Sequence, residues 1–544
     1  MGGKEEDLNE INKFYLNLQL KDSTIVSKNV SKIYDILNQL DEKNQHKYLC
    51  LSCIFGAFLG DSIGASCEFS PPSTQNHLDI FNSPRNNIFE PGEVTDDSEM
   101  AISAAFAYLD IIANKDLIEK HPDMVQNIIY YYYCIWKNSG PKDIGHATSS
   151  ALRYWKRNMT LENTIFNLKR VQIANMTSLA NGFLMRISTF ITYFYYLNIQ
   201  LIYDTIHNYQ NNKDKELPDD LIKLLSKIFD ESSKNTEITH PNPENAISSA
   251  VFTLMVYIGM VTKDAKEVYN FFVKIANSQK FLELFKDYDI KDIHEKYLEM
   301  IKDLNNIYVY NQMGYYIHGF KLSVYFLKKY PDMGKVQNDN QKNTLYYQIM
   351  SKICDYGGDT DTNCAIVGAM VGPIIGYKNF GNEYFKKLIY FIPKTRCQFN
   401  SAFMYIYVDY LEKKFLKNNQ KNEEKKENFP DDNKKGKIEE KKEENKEEKN
   451  EEKKEEKNEE KNEEKKEEKK EEKTEEKKNE SGEKKVPKNI DNKESKEDIK
   501  NKNENLDKKG VMKEEVKNDQ IKGKEFVYFA YTKINEFFSK ELDI

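Results

Sequence analysis

Gly56-Ala-Phe-Leu-Gly60-Asp61-Ser-Ile-Gly64 lies within an apolar stretch that begins at Tyr48. Its glycines recur at every fourth residue, which on a helix lines one face without side chains. Each glycine costs a helix about 1 kcal/mol relative to alanine, so such a stripe makes sense where a second backbone comes close. Asp61 on the same helix would be expensive to bury without partners. Outward from this stretch the apolar residues keep helical spacing, over Met100–Ala113, Met124–Trp136, Ala246–Val261, Tyr315–Leu327 and Ala365–Ile375, while long alternating β-branched runs are scarce. The 35 Tyr and 30 Phe fall mostly in these runs and read as aromatic core rather than as a platform for stacking bases. The expected fold is an all-α, compact multi-helix domain over 47–416. A polar extension, 1–46, precedes it and carries one helix near Ser27–Leu40, and polar connections are expected at Asn211–Leu217 and Lys335–Asn343.

The averages of 31% charged residues and a net charge of −7 over 544 residues conceal an uneven chain. Between Lys417 and Lys524 stand 35 Lys and 36 Asp or Glu, with only ten hydrophobic residues. That composition buries too little apolar surface to offset chain ordering, so 417–524 reads as a disordered tether. Its Glu-to-Lys spacing could support a transient solvated helix or coiled-coil-like segment over Glu439–Glu480. The final segment, 525–544, regains apolar periodicity through Phe526, Phe529, Ile534, Phe537 and Phe538. It is expected to be an amphipathic helix that docks on the domain or binds a partner. Outside the tether the balance is mildly acidic, which argues against a broad basic face for nucleic acid. Low glycine, scattered cysteines and the lack of short alternating strands exclude collagen-like, disulfide-framework and porin classes.

No run of about 18 uncharged apolar residues marks a membrane span, and MGGKEEDLNE lacks a signal core. Gly2 would suit myristoylation, but Glu6 replaces the expected Ser or Thr,. Seven Cys suit a reducing compartment,. Cys50 and Cys53 form a CxxC without a second pair, so buried helix thiols are the better reading than zinc. The protein is expected to be intracellular, in cytoplasm or nucleus.

Polar and glycine residues interrupt the apolar helices at three places. Besides the opening stretch, which runs on to Glu68, there is Gly92-Glu-Val-Thr95-Asp96-Asp97-Ser98 ahead of the helical run Glu99–Ala113. A helix N-cap accounts for one of Thr95, Asp96 and Asp97, not for all three. Adjacent carboxylates repel, and without a cation one tends to keep its proton. The third place is Gly357-Gly358-Asp359-Thr360-Asp361-Thr362, leading into Asn363–Ile375. Two glycines permit a sharp turn after which Asp359 and Asp361 could point to one side. These clusters offer only oxygen ligands, the set preferred by Mg²⁺, Mn²⁺ or Ca²⁺ over zinc or copper. Four carboxylates suit two cations better than one, and paired cations commonly bind phosphate or polarise a reacting oxygen.

In this order the motifs GAFLGDSIGASCE, GEVTDDSEMA and GGDTDTNCAIVGAMVGPIIG resemble those of the ADP-ribosylglycohydrolases. That family includes the enzyme that reactivates dinitrogenase reductase and the ADP-ribosyl-arginine and ADP-ribosyl-serine hydrolases. Shorter matching pieces are Asp143-Ile-Gly145-His-Ala-Thr148, Asn181-Gly-Phe-Leu-Met185-Arg186 and Thr239-His240-Pro-Asn-Pro, and the resemblance runs from Leu51 to about Leu411. It implies an all-helical fold around a binuclear site with two Mg²⁺ per chain, or Mn²⁺ in their place. Thr95, Asp96 and Asp97 would bind the metals from one side, and Asp359, Asp361 and Thr362 from the other. Glu68 would take an acid–base or gating role, with Asp97 and Asp361 also beside the reacting bond, while Asp61 looks structural. Ser178, Asn181 and Gly182 match the loop that holds the diphosphate. His240 matches a pocket residue, and Asp143 and Gly145 a loop beside the leaving group. By itself, a histidine before proline reads as an ordinary loop or cap residue.

The implied reaction is hydrolysis of the glycosidic bond of an ADP-ribosylated protein or small ADP-ribose conjugate, releasing ADP-ribose. Three departures stand out: Ser98 for the usual Thr, Ala180 for a common Gly and Thr189 for a common Pro. None removes an implied ligand. The alternatives are a catalytically weak binding or structural protein on this scaffold, and a phosphatase or phosphodiesterase using the same paired metals. The charged tail would tether a protein partner.

Overall fold

The computed structural model describes residues 23–40, 45–73, 88–122, 124–154, 173–212, 216–288, 290–335, 344–393 and 400–417, all belonging to one unit. Residues 1–22 and 418–544, which include nearly all of the expected tether and the whole of 525–544, lie outside the described residues, as do parts of the two polar connections. Described residues form helices with no strand; a single bridge pairs Ala180 with Tyr315. The main helices are α1 (Ser23–Gln39), α2 (Gln45–Gly64), α3 (Asp96–Ala113), α4 (Met124–Asn138), α5 (His146–Ala151) and α6 (Ser188–Leu197). They continue with α7 (Asp219–Thr236), α8 (Pro243–Thr262), α9 (Tyr316–Lys329), α10 (Leu345–Tyr356), α11 (Thr360–Ile375) and α12 (Phe403–Glu412).

At the centre α2 and α11 run antiparallel in direct backbone contact. A Cβ built on Gly56 would stand 2.3 Å from the Gly368 carbonyl oxygen, one on Gly60 2.3 Å from that of Cys364, and one on Gly64 2.3 Å from that of Thr360. Gly368 and Gly372 return the fit, at 2.1 Å from the Gly56 oxygen and 2.3 Å from the Ser52 oxygen. The small-residue face thus lets two backbones meet, as the four-residue spacing predicts. Both helices are buried on nearly all sides. Helices α3, α6, α10 and α12 pack around α2, and α8, α9 and α10 around α11.

Aromatic side chains fill the space between these helices. Tyr108 stacks on Tyr193 with centroids 4.4 Å apart, and Tyr347 on Tyr384 at 4.1 Å. The buried Tyr257 Oη donates to the Ile191 carbonyl at 2.8 Å, in keeping with the cost of leaving such a group unpaired. At the start of α2, Lys47 Nζ meets Asp409 at 2.7 Å and Glu412 at 2.8 Å on α12. Burial pulls its pKa down, but the two carboxylates outweigh burial and push it up to about 12. Cys50 and Cys53 are buried thiols in α2, and no described cysteine is in a disulfide. Only α8 among the described helices is long and apolar enough to cross a membrane, and 89% of its apolar window is buried inside the protein.

Candidate active site

The site forms where the C-terminal end of α2 meets the N-termini of α3 and α11. Helix α3 begins earlier than the apolar run suggests, with Thr95 as N-cap and Asp96, Asp97 and Ser98 in its first turn. Acidic residues suit that turn because it carries free N–H groups and the positive end of the helix dipole. Thr95 Oγ1 donates to Asp97 Oδ2 at 3.0 Å and accepts from the Asp97 N–H at 3.4 Å. From α2, the fully buried Asp61 reaches across to accept from the Thr95 N–H at 3.0 and 3.1 Å, the Ser98 N–H at 3.2 Å and Ser98 Oγ at 2.5 Å. Its oxygens are thereby occupied in joining two helices. The serine hydroxyl at position 98 is used in this joint.

Helix α11 starts after Gly357 and Gly358, at φ +70° and +81°, values that favour glycine,. Asp359 is its N-cap, with Asp361 and Thr362 in the first turn. Thr362 Oγ1 donates to Asp97 Oδ2 at 3.3 Å, joining the two acidic clusters. Thr360 Oγ1 donates to the Gly64 carbonyl at 2.7 Å. Asp359 Oδ2 accepts from Asn181 Nδ2 at 2.7 Å, and Asp96 Oδ2 from the Gly145 N–H at 3.2 Å.

Carboxylate oxygens of Glu68, Asp143 and Asp361 lie within 4.8 Å of one another. Asp97 Oδ1 and Asp361 Oδ1 are buried without a hydrogen-bond partner. No lysine or arginine pairs with Glu68, Asp96, Asp97, Asp143, Asp359 or Asp361 among the described residues. Protonation follows from this crowding. Burial first, then the charge of Asp143, pushes Glu68 up to about 9 and Asp96 up to about 8. Burial raises Asp97 and Asp361 well above the carboxylate range, with neighbouring carboxylates adding to it. Burial likewise lifts Asp143. Asp61 reaches about 7 by burial, against hydrogen bonds from Ser98 and Thr95 that lower it. Buried carboxyl groups with orphaned oxygens and no organic cation beside them are the donor set a hard divalent cation fits.

Beside this cluster runs the loop Ser178–Gly182. Asn245 Nδ2 donates to the Ser178 carbonyl at 2.8 Å. The Asn181 N–H donates to the Gly314 carbonyl at 2.9 Å, and the Tyr316 N–H to that of Leu179 at 3.1 Å. A Cβ on Gly182 would fall 2.8 Å from His240 Cε1, so glycine lets the imidazole close over the loop. His240 is buried; its Nδ1 bonds Thr239 Oγ1 at 2.8 Å and its Nε2 is unpartnered. Burial, then the Arg186 charge, holds its pKa well below the usual value, leaving a neutral ring. Ala180 sits at φ −71°, ψ 154°, extended backbone that needs no glycine.

The profile of the ADP-ribosylglycohydrolase family matches residues 43–414. The chain belongs to that family. It is also 26% identical, over 337 residues covering 59% of this chain and 86% of the relative, to a protein of Acanthamoeba polyphaga mimivirus named as an ADP-ribosyl glycohydrolase. Among solved structures it is similar to one titled an ADP-ribosylglycohydrolase-related protein complex, at 16% identity and a TM-score of 0.42, covering 68% of this chain and 99% of that one.

As a family member, the chain brings together residues scattered through its sequence. Thr95, Asp96, Asp97, Asp359, Asp361 and Thr362 occupy two facing helix starts, and Glu68 borders them. Asn181 and Gly145 touch this group through Asp359 and Asp96. Asp143 stands inside the carboxylate cluster itself, within 4.8 Å of Glu68 and Asp361. In the sequence only the family resemblance pointed to it. Arg186, quoted in a motif but given no role, is fully buried. It donates to Asn235 Oδ1 at 3.1 Å, to Thr239 Oγ1 at 2.7 Å and to the Gly182 carbonyl, and lies over the Tyr133 ring at 5.0 Å. It therefore ties the Gly182 loop to the segment carrying His240. A lone basic residue following an apolar motif was the only available signal.

Proposed function

We propose that this protein hydrolyses the glycosidic bond of ADP-ribosyl conjugates, on protein side chains or small molecules, and releases ADP-ribose at a binuclear Mg²⁺ or Mn²⁺ site. The observation that carries this reading is the pair of facing helix starts, whose buried Asp97 Oδ1 and Asp361 Oδ1 lack any partner. Thr95, Asp96, Asp97, Asp359, Asp361 and Thr362 would hold the metals. When bound, such cations supply positive charge that orients ribose hydroxyls and eases deprotonation of water. Around them, Asp97 and Asp361 place negative charge where the sugar becomes oxocarbenium-like. Glu68, half-buried at the edge, exchanges a proton with water or the leaving group. The Ser178–Gly182 loop and neutral His240 present the diphosphate with hydrogen-bonding groups, and Asp143 and Gly145 border the leaving group.

A panel of ADP-ribosyl-arginine, ADP-ribosyl-serine and O-acetyl-ADP-ribose, with Mg²⁺ or Mn²⁺ and after chelation, tests the reading. Metal-dependent ADP-ribose release is expected, abolished by Asp96→Asn or Asp361→Asn with helical content unchanged. Full turnover by the chelated protein would reject the binuclear site. Phosphate release without ADP-ribose would instead support a phosphatase.

A further inference from the structure

We propose that Phe69 is a positioning residue, whose left-handed backbone, clasped to Gly358, holds the Glu68 carboxylate against Asp361 and Asp143. The chain leaves α2 through a turn in which the Cys67 N–H donates to the Gly64 carbonyl at 2.9 Å. Beyond it, the Gly358 N–H donates to the Ser70 carbonyl at 3.0 Å and the Ser73 N–H to the Asp355 carbonyl at 2.8 Å. Between those two anchorages lie only Glu68 and Phe69, the central residues of a turn closed by the Ser70 N–H donating to the Cys67 carbonyl at 3.0 Å. Phe69 turns it at φ +58° and donates its own N–H to the Gly358 carbonyl at 2.8 Å. A bulky residue in the left-handed region is a genuine outlier, and such outliers gather at sites where geometry must be fixed. Ring packing does not compensate, because Phe69 is 61% exposed. The other wall fits closely: a Cβ on Gly357 would stand 2.4 Å from the Ser70 oxygen. Returning Phe69 to an ordinary φ, with 70–73 fastened to the Asp355–Gly358 turn, would swing Glu68 away from its two carboxylate neighbours.

The kinetic part of this inference rests on the glycohydrolase reading; the structural part does not. Three substitutions separate backbone from ring: Phe69→Gly and Phe69→Asn tolerate the left-handed region, whereas β-branched Phe69→Val resists it. With Mg²⁺ and the conjugate that the wild type cleaves, kcat of Phe69→Val should fall by about tenfold or more, with KM within about twofold, since misplacement of a reacting group acts on turnover. Phe69→Gly and Phe69→Asn should restore kcat to within about threefold of wild type by the same backbone criterion. An order following hydrophobicity, with Val near wild type and Gly lowest, overturns the proposal in favour of a role for the ring. Crystal structures of Phe69→Val and Gly357→Ala supply the second measurement. Glu68 should be drawn beyond the 4.8 Å separation from Asp361 and Asp143, and an unmoved carboxylate in whichever variant folds also overturns it. Failure of the wild type to release ADP-ribose would count against the glycohydrolase reading alone, leaving the crystal structures to decide the role of Phe69.

Discussion

Among the site residues, Glu68 stands within 4.8 Å of Asp143 and Asp361 and, like Asp143, is only partly buried. Glu68→Gln keeps its shape and removes the anion. Single-turnover cleavage should slow by roughly 10²-fold or more, the scale of a general acid–base group, while calorimetry should show ADP-ribose binding preserved. Near-normal cleavage would refute a catalytic role. A second consequence concerns the metal-free protein. Asp61, Asp96 and Glu68 have pKa values raised to about 7, 8 and 9, above the unfolded value of about 4. The folded chain therefore keeps protons that the unfolded chain has lost, so stability falls as pH rises between about 4 and 9. The Tm of chelated protein should drop across this interval, and Mg²⁺ should restore it most at the alkaline end. A Tm that rose with pH would contradict the uncompensated cluster.

At the scale of helices, the facing acidic motifs were legible because each begins an apolar run, and helix starts favour just these residues. Their meeting was legible only through the family resemblance: Thr362 reaches Asp97 across the fold, and no local pattern encodes that contact. Arg186 escaped the sequence reading for the same reason, since its role depends entirely on distant partners, and Asp143 was reached only through the resemblance. The glycine stripe, by contrast, announced a close backbone neighbour without identifying α11. That neighbour makes a sharp prediction. In Gly60→Ala the new methyl would meet the Cys364 carbonyl at 2.3 Å and its carbon at 2.7 Å. Overpacking of this kind costs roughly 1–3 kcal/mol or more. Gly145→Ala, at φ −57° with nothing within 4 Å, should alter stability by less than about 0.5 kcal/mol. Denaturant midpoints of the two variants would test the contrast, and equal midpoints would refute it.

For the whole molecule, composition sets the charge-dense segment between Lys417 and Lys524 apart from the helical domain. Replacing that segment with a short flexible join should leave kcat within about threefold, because a sequence of this composition has little apolar surface with which to join a packed site; a larger loss would show that it shapes the pocket. The domain faces a different problem, created by the repetition that closes its centre. Glycines at 56, 60 and 64 against Thr360, Cys364, Gly368 and Gly372 form a ratchet with equal teeth. Sliding one helix past the other by a single turn, about 5.4 Å, would again set small residues against backbone. Steric fit alone thus tolerates more than one notch, yet only one puts Asp361 opposite Asp97. The choice falls to directional bonds: Thr360 Oγ1 on the Gly64 carbonyl joins α11 to α2, Thr362 Oγ1 on Asp97 joins α11 to α3, and Tyr346 Oη on the Gly56 carbonyl joins α10 to α2. These hydroxyls act as the pawl, so removing them would shift the alignment of the two acidic helix starts before it loosened the core.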